Sequence, residues 1–186
     1  MKPKVILSII ILTFLVVTKM SAQVSLYKSN NYTGEKLEIS SSWEASSNKA
    51  WNDNINSIKI PKGYRVTIYE HYAGIEGMSL ELTSDWVADS KWKNKISNIK
   101  VIAPIQLFTS KNFTGNQLSI TTNWSAASNM AWNDKINSIK VPKGYKIIIY
   151  ENGPTNGKSL ELTSDWVADG DWTNKISNIN VVASPK

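Results

Sequence analysis

Short segments in which apolar and polar residues alternate recur along this chain, and turn residues separate them. Alternation with a period of two is typical of β-strands that bury one face. It predicts strands at 24–27, 36–39, 57–60, 65–69, 79–82 and 97–101. Pro61-Lys62-Gly63 and Pro142-Lys143-Gly144 are turn sequences that follow such segments. Many short strands with regular turns predict an all-β fold built as a β-sandwich.

The pattern occurs four times, in two pairs. Residues 51–59 return almost unchanged at 132–140, and a looser version at 92–100 returns at 172–179. A repeated unit of this length does not bury its apolar face alone, so neighbouring copies must pack together. Two unequal motifs that are duplicated as a pair predict two similar domains of two motifs each.

One segment of each motif lacks the strand pattern. Residues 42–51, with their counterpart at 123–132, predict a loop that contains a single helical turn. All eight tryptophans lie in such segments or at their ends: Trp43, Trp51, Trp86, Trp92, Trp124, Trp132, Trp166 and Trp172. Exposed rings could stack on sugars, whereas rings that close the open end of each sandwich would be buried. The same placement in every motif favours the packing role.

The first 22 residues have the composition of a secretory signal peptide. Lys2 and Lys4 precede an apolar stretch at 5–17, and Ser21-Ala22 offers a small-residue cleavage site. The apolar stretch is shorter than the roughly 20 residues that cross a bilayer, so a membrane anchor is the less favoured alternative. We therefore expect a protein that is secreted or extracellular (periplasmic in a bacterium) and has no membrane partner after cleavage.

Domain boundaries follow from the repeats and the signal sequence. We predict a signal peptide at 1–22, a first domain at 23–103 and a second domain at 104–186. The joint at 102–105 is short, which implies that the two halves are held close.

Charge and cysteine content narrow the classes of partner. Removing Lys2, Lys4 and Lys19 with the signal segment lowers the formal net charge from +6 to +3, because that segment contains no Asp or Glu. The remaining lysines are scattered, which indicates a solvated surface and no nucleic-acid partner. The chain has no cysteine. An exported protein of this size without disulfides must be held together by core packing or by bound metal.

Aromatic corners complete a pattern that resembles the βγ-crystallin family. Its motif opens with an aromatic residue in the first strand, and an aromatic-x-Gly corner follows. This chain has Tyr27 before Tyr32-Thr33-Gly34, Tyr69 before Tyr72-Ala73-Gly74, and Phe108 before Phe113-Thr114-Gly115. Glycine permits the positive φ that a folded-over hairpin requires. The resemblance covers nearly all of the chain after residue 22 and implies two Greek-key β-sandwich domains. The fourth motif departs from the pattern, because Tyr150 is followed by 151–157 without a second aromatic.

The resemblance also implies that the protein binds calcium. Microbial members commonly bind Ca2+ through the pattern [Asn/Asp]-[Asn/Asp]-x-x-[Ser/Thr]-Ser, which is rich in the oxygen ligands that this hard cation takes. Residues 52–57 and 133–138 match at positions one, two and six, with Asn at position five. Residues 93–98 and 173–178 match at positions two and five only. The implied metal ligands, including one acidic hairpin residue per domain, are Asp53, Asn56, Glu70, Asn94, Ser97, Asp134, Asn137, Glu151, Asn174 and Ser177.

Charge ranks these loops. In the family each loop meets the first hairpin of the partner motif, so the Asp53 loop would meet Glu70 and the Asp134 loop would meet Glu151. The Asn94 and Asn174 loops would meet hairpins without an acidic residue, and Lys93 and Lys95 flank the Asn94 loop. A divalent ion gains less where cations stand nearby and no carboxylate offsets its charge. We therefore expect one usable calcium site per domain and one weak site.

Two other interpretations of these loops and tryptophans remain open. Asn, Asp and Ser also cap turns, so the repeated loops could be turns that place Ile55 and Ile58 in the core. The protein would then be a structural protein without functional metal. Alternatively, the loop tryptophans could serve a secreted recognition module for an extracellular glycan or a protein partner.

Catalytic chemistry is not indicated. The chain has one histidine, His71, and lacks a cysteine nucleophile, a glycine-rich phosphate loop and histidine-rich zinc spacing. Asp85 and Asp165 each precede a second carboxylate by four residues. Paired carboxylates can hydrolyse glycosides, but these lie in loops and are interpreted as loop caps. The sequence thus predicts a non-enzymatic, calcium-stabilised protein.

Overall fold

The computed structural model describes residues 22–72, 75–153 and 157–183. Except for Ala22, the predicted signal peptide lies outside this part of the chain, as do residues 73 and 74 of the second aromatic corner. Within the described residues, no helix has the length and apolar character needed to span a membrane.

The described residues form short antiparallel strands, as the alternating pattern predicts. The strands of the first half are β1 Val24–Tyr27, β2 Lys36–Ile39, β3 Trp43–Glu44, β4 Ser57–Lys59, β5 Arg65–Tyr69, β6 Ser79–Leu82, β7 Trp86–Val87 and β8 Asn98–Ile102. Those of the second half are β9 Ile105–Ser110, β10 Thr114–Ile120, β11 Trp124–Ser125, β12 Ser138–Lys140, β13 Lys146–Tyr150, β14 Ser159–Leu162, β15 Trp166–Val167 and β16 Asn178–Ala183. The all-β class and the sandwich architecture are therefore confirmed.

Each half contains two four-stranded sheets, and the two motifs exchange a strand between them. The sheets of the first half have the order β2-β1-β4-β7 and β3-β8-β5-β6. In the second half the orders are β10-β9-β12-β15 and β11-β16-β13-β14. Strand β7 of the second motif completes the sheet of the first, and β3 makes the reverse exchange. A single motif therefore lacks a complete sheet, which is why the motifs occur in pairs.

Two of the strands in each half were not predicted. The segment 42–51 was expected to be a loop with one helical turn, but it begins with β3 and continues as two 3-10 turns, Ala45–Ser47 and Lys49–Trp51. Strand β7 likewise occupies a tryptophan segment. Both strands have two residues, which is too short for alternation to show. The tertiary pairing of Trp43 with Ile99 defines β3, and nothing local does.

Two separate hydrophobic cores lie between the sheets. The first draws its buried residues from 24–101 and the second from 105–179. Strand β5 shows the alternation directly, since Val66 and Ile68 are fully buried between partly exposed neighbours. The four segments that match the calcium pattern, here called the polar loops, are residues 52–57, 93–98, 133–138 and 173–178. Each polar loop contributes one fully buried isoleucine: Ile55, Ile96, Ile136 and Ile176.

The tryptophans pack into these cores, as the repeated placement predicts. Five are buried and the other three, Trp86, Trp132 and Trp166, are half-buried. Trp86 meets Trp92 edge to face with ring centroids 6.5 Å apart, and the second half repeats this pair. A ring on which a sugar could stack must present an open face. The five buried rings offer no such face, so their placement favours the packing role.

Candidate metal centre

Every polar loop places its second residue in the left-handed backbone region. Asp53, Asn94 and Asn174 have φ of 56°, and Asp134 has φ of 54°. Asn and Asp tolerate this conformation better than other residues with a side chain. The turn interpretation therefore explains why position two is Asn or Asp. It leaves open why two loops carry the charged form.

Pairs of loops cross so that each loop is divided between two side-chain clusters. Asp53 N donates a hydrogen bond to Ile96 O at 3.1 Å, which sets residue two of one loop beside residue five of the other. Ser97 N donates to Tyr69 O at 3.0 Å, which holds this crossing against strand β5. Asp53 and Asn56, which belong to one sequence match, consequently lie in different clusters.

The carboxylate cluster consists of Asp53, Glu70 and Ser97 in the first half. Its counterpart is Asp134, Glu151 and Ser177. Ser97 Oγ donates to Asp53 Oδ1 at 3.2 Å, and Ser177 Oγ donates to Asp134 Oδ1 at 3.1 Å. In the first half an open cavity of about 190 Å3 is lined by Asp53, Glu70, His71, Asn94, Lys95 and Ser97. The expected meeting of the Asp53 loop with Glu70 is thus present.

A neighbouring amide fixes the orientation of each aspartate. Asn52 Nδ2 donates to Asp53 Oδ2 at 2.6 Å, and Asn133 Nδ2 donates to Asp134 Oδ2 at 2.7 Å. One carboxylate oxygen is therefore held by residue one of the same loop, while the other contacts the partner loop. Position one of the pattern has this orienting role, which its sequence alone does not reveal.

Lysines stand beside the carboxylate clusters, which corrects the position that the sequence indicated for Lys95. Lys95 was assigned to the Asn94 site, but its Nζ lies 3.2 Å from Glu70 Oε1. Lys175 Nζ lies 3.4 Å from Glu151 Oε1 in the same way. Hydrogen bonds from Lys95 and from the Met78 backbone hold the pKa of Glu70 below its ordinary value. A cation in this cluster would compete with the lysine for Glu70.

The amide cluster consists of the other two predicted side chains of each half. Asn56 Nδ2 donates to Asn94 Oδ1 at 2.7 Å, and Asn137 Nδ2 donates to Asn174 Oδ1 at 2.6 Å. No carboxylate takes part in these bonds. The Asn94 and Asn174 side chains thus bond to amides, although other residues of their loops, such as Ser97 and Lys95, contact Asp53 and Glu70.

The serine at position six holds the folded hairpin. Ser57 Oγ donates to Ser29 O at 2.7 Å and accepts from Tyr32 N at 3.0 Å. Ser138 makes the matching bonds with Ser110 and Phe113. These bonds use the only donor of the hydroxyl and one of its two acceptor sites, so position six acts as a backbone clamp.

Glycine at the hairpin corner behaves as the aromatic-x-Gly pattern predicts. Gly34 and Gly115 have φ of 79° and 80°. A Cβ atom at Gly34 would lie 2.6 Å from Ser29 Oγ, so a side chain would also collide with the clamped hairpin.

The paired loop aspartates have structural roles. Asp85 Oδ1 accepts from Ile60 N at 2.8 Å, and Asp165 Oδ1 accepts from Val141 N at 2.9 Å. Asp89 Oδ1 accepts from the backbone N–H groups of Lys91 and Trp92. These backbone bonds explain the carboxylates without catalysis. Among the described residues, no group of three or more His, Cys, Asp or Glu side chains is placed to hold a metal, so a cation would depend on neutral oxygens as well.

Comparison with known proteins agrees with the motif structure. The family profile described as Beta/Gamma crystallin matches residues 102–183. Among solved structures, the N-terminal domain of Protein S is 32% identical, covers 45% of this chain and is itself covered completely, with a TM-score of 0.41. A βγ-crystallin domain from Clostridium beijerinckii is 26% identical over 42% of this chain and 95% of its own, with a TM-score of 0.39.

A βγ-crystallin domain from Flavobacterium johnsoniae is 28% identical over 44% of this chain and 97% of its own, with a TM-score of 0.40. The search of curated proteins found no match. Each of these solved domains is therefore similar to less than half of the present chain. The profile match and the identity to a completely covered domain agree with the repeated motifs and their exchanged strands. The chain belongs to the βγ-crystallin family.

Proposed function

We propose that this protein is a secreted, non-enzymatic calcium-binding βγ-crystallin that holds one Ca2+ in each carboxylate cluster and gains stability from it. The observation that carries the proposal is the contact of Ser97 Oγ with Asp53 Oδ1 beside Glu70, repeated in the second half. The three side chains come from two loops and a hairpin. An ion bound there would join segments that are distant in sequence.

The donor chemistry suits calcium better than other common metals. Carboxylate and hydroxyl oxygens, completed by backbone carbonyls and water, are the ligands that Ca2+ takes. Thiolate is absent from the chain and histidine occurs once, so the ligand sets preferred by zinc and copper cannot be assembled. The ligands we assign are Asp53, Glu70 and Ser97 in one half and Asp134, Glu151 and Ser177 in the other.

Modest affinity follows from the charges. Each site offers two carboxylates, and a lysine offsets one of them. Calcium affinity depends on the number of charged ligands, and extracellular modules bind with Kd values of roughly 10⁻⁴ to 10⁻³ M. Export to a calcium-rich medium would suit such a site.

Binding to the folded state alone converts into stability. At a tenfold excess of calcium over Kd, the free energy of unfolding rises by about 1.4 kcal/mol per site. For a domain of about 80 residues, this corresponds to a melting temperature roughly 5–10 °C higher. Chelator should reverse the shift.

Charge removal without a change of backbone tests the proposal. Asp53→Asn combined with Asp134→Asn keeps a residue that tolerates positive φ, as Asn94 does in its own loop. We expect the calcium-dependent rise in melting temperature to disappear and calorimetric binding to be largely lost.

Asp89→Asn combined with Asp169→Asn is the matched control. It removes the same charge from carboxylates that accept backbone hydrogen bonds outside the clusters. This control should retain the calcium shift even though its capping bonds are weaker. Equal calcium shifts in the unaltered protein, the cluster variant and the control would refute the assigned ligands.

A further inference from the structure

The amide cluster of the first half is organised around the Asn56 side chain. Its Nδ2 donates to Lys28 O at 2.8 Å and to Asn94 Oδ1 at 2.7 Å, while its Oδ1 accepts from Asn94 N at 3.1 Å. A backbone carbonyl can only accept and a backbone N–H can only donate. The orientation of the Asn56 amide is therefore determined by its backbone partners, without any choice between nitrogen and oxygen.

The second half repeats this arrangement with different neighbours. Asn137 Nδ2 donates to Thr109 O at 2.9 Å and to Asn174 Oδ1 at 2.6 Å, and Asn137 Oδ1 accepts from Asn174 N at 3.1 Å. Thr109 replaces Lys28 as the hairpin residue, so the bonds do not depend on that side chain. Asn56 and Asn137 are 7% and 8% exposed, so both amides are buried where unsatisfied polar groups are costly.

Comparison of the two clusters shows what the amide replaces. Position five of the partner loop is Ser97, whose short hydroxyl leaves an open cavity beside Asp53 and Glu70. At the same position of its own loop, Asn56 extends an NH2 group toward a hairpin carbonyl and a side-chain carbonyl. Oxygens that converge on one point require a positive partner, and N–H hydrogens supply partial positive charge without an ion.

We propose that the Asn56 and Asn137 amides take the place of a cation in the second cluster of each half. The amide closes that cluster to metal and ties together the two loops that form the carboxylate cluster. The closure stands by itself, whereas a stoichiometry of one calcium per domain also rests on the proposed function. Of the two clusters in each domain, the amide cluster therefore holds its loops together without calcium.

Asn56→Asp combined with Asn137→Asp tests the closure with side chains of equal size. The substitution replaces the donor with an oxygen, so like-charged groups then converge with nothing between them. In chelator, we expect the melting temperature to fall by about 5 °C or more. In millimolar calcium, we expect recovery of the melting temperature and one additional bound ion per substituted domain, counted by native mass spectrometry.

Asn54→Asp is the matched control for added charge. Asn54 lies on the same loop, is exposed, and bonds only to nearby loop carbonyls. It should change neither the ion count nor the response to chelator. Asn56→Ser, which copies the residue at the same place in the partner loop, removes the donor without adding charge and should lower the melting temperature in chelator as well.

The outcomes separate the two proposals. If the unaltered protein binds no calcium but the Asn56→Asp variant binds one ion per substituted domain, the closure holds and the proposed function fails. If both Asn56 variants melt in chelator like the unaltered protein, the amide does not brace the loops and the inference is overturned. A destabilised Asn56→Asp variant that gains no ion and no recovery in calcium would also overturn it.

Discussion

Replacing Ser57 with alanine tests whether position six of the calcium pattern is a clamp or a ligand. Ser57 is fully buried, and its Oγ makes two hydrogen bonds that fold the first hairpin onto the sheet. A typical hydrogen bond contributes about 1 kcal/mol net, and leaving its partner unpaired costs about 1–3 kcal/mol. Ser29 is exposed, so water can replace the lost partner of its carbonyl. We therefore expect Ser57→Ala to cost about 2 kcal/mol.

For a domain of about 80 residues, this loss lowers the melting temperature by roughly 10 °C. The assay is thermal or urea unfolding in chelator, followed by tryptophan fluorescence and compared with calorimetric titration of calcium. Ser47→Ala is the control, because Ser47 is exposed and makes one local bond to the Glu44 carbonyl. We expect Ser57→Ala to be destabilised and to keep its calcium affinity. A variant with normal stability but no calcium binding would refute the clamp interpretation.

Three further outcomes follow from the structure. Lys95→Gln combined with Lys175→Gln should tighten calcium binding several-fold at low salt, because the ammonium groups that compete for Glu70 and Glu151 are removed. The control Lys93→Gln, at an exposed neighbouring position, should leave the calorimetric calcium affinity unchanged. Because the pKa of Glu70 is lowered in the folded state, ionised Glu70 stabilises the fold above the ordinary glutamate pKa, and this stabilisation is lost as the pH falls through the lowered folded value. An NMR titration of Glu70 should show the lowered midpoint, and Lys95→Gln should move that midpoint upward. The exported protein should begin at Gln23, which N-terminal sequencing would check, and retention of residues 1–22 would contradict the signal-peptide prediction.

Features with a local cause were predictable from the sequence. Alternating residues place Val66 and Ile68 in the core, because a strand turns every second side chain inward. The corner at Gly34 was predictable because its backbone conformation excludes most side chains. The packing of the tryptophans against the cores was predictable from their repetition in every motif.

Features that depend on contacts between the two motifs of a half could not be predicted from the sequence. Strands β3 and β7 have two residues each and form only because the partner motif offers an edge. The sequence match treats 52–57 as one set of ligands, but the crossing of two loops sends Asp53 and Asn56 to different clusters. Lys95 was assigned to the wrong cluster because Asn94, with its positive φ, redirects the chain between Lys93 and Lys95.

A crystal structure of the protein at saturating calcium is the most direct test of the central claim. The account predicts one ion beside Asp53, Glu70 and Ser97, another in the matching cluster of the second half, and direct amide contacts without an ion between Asn56 and Asn94. The anomalous signal of calcium would distinguish a bound ion from water. Ions bound only at the amide clusters, or none at either carboxylate cluster at saturating calcium, would contradict the account.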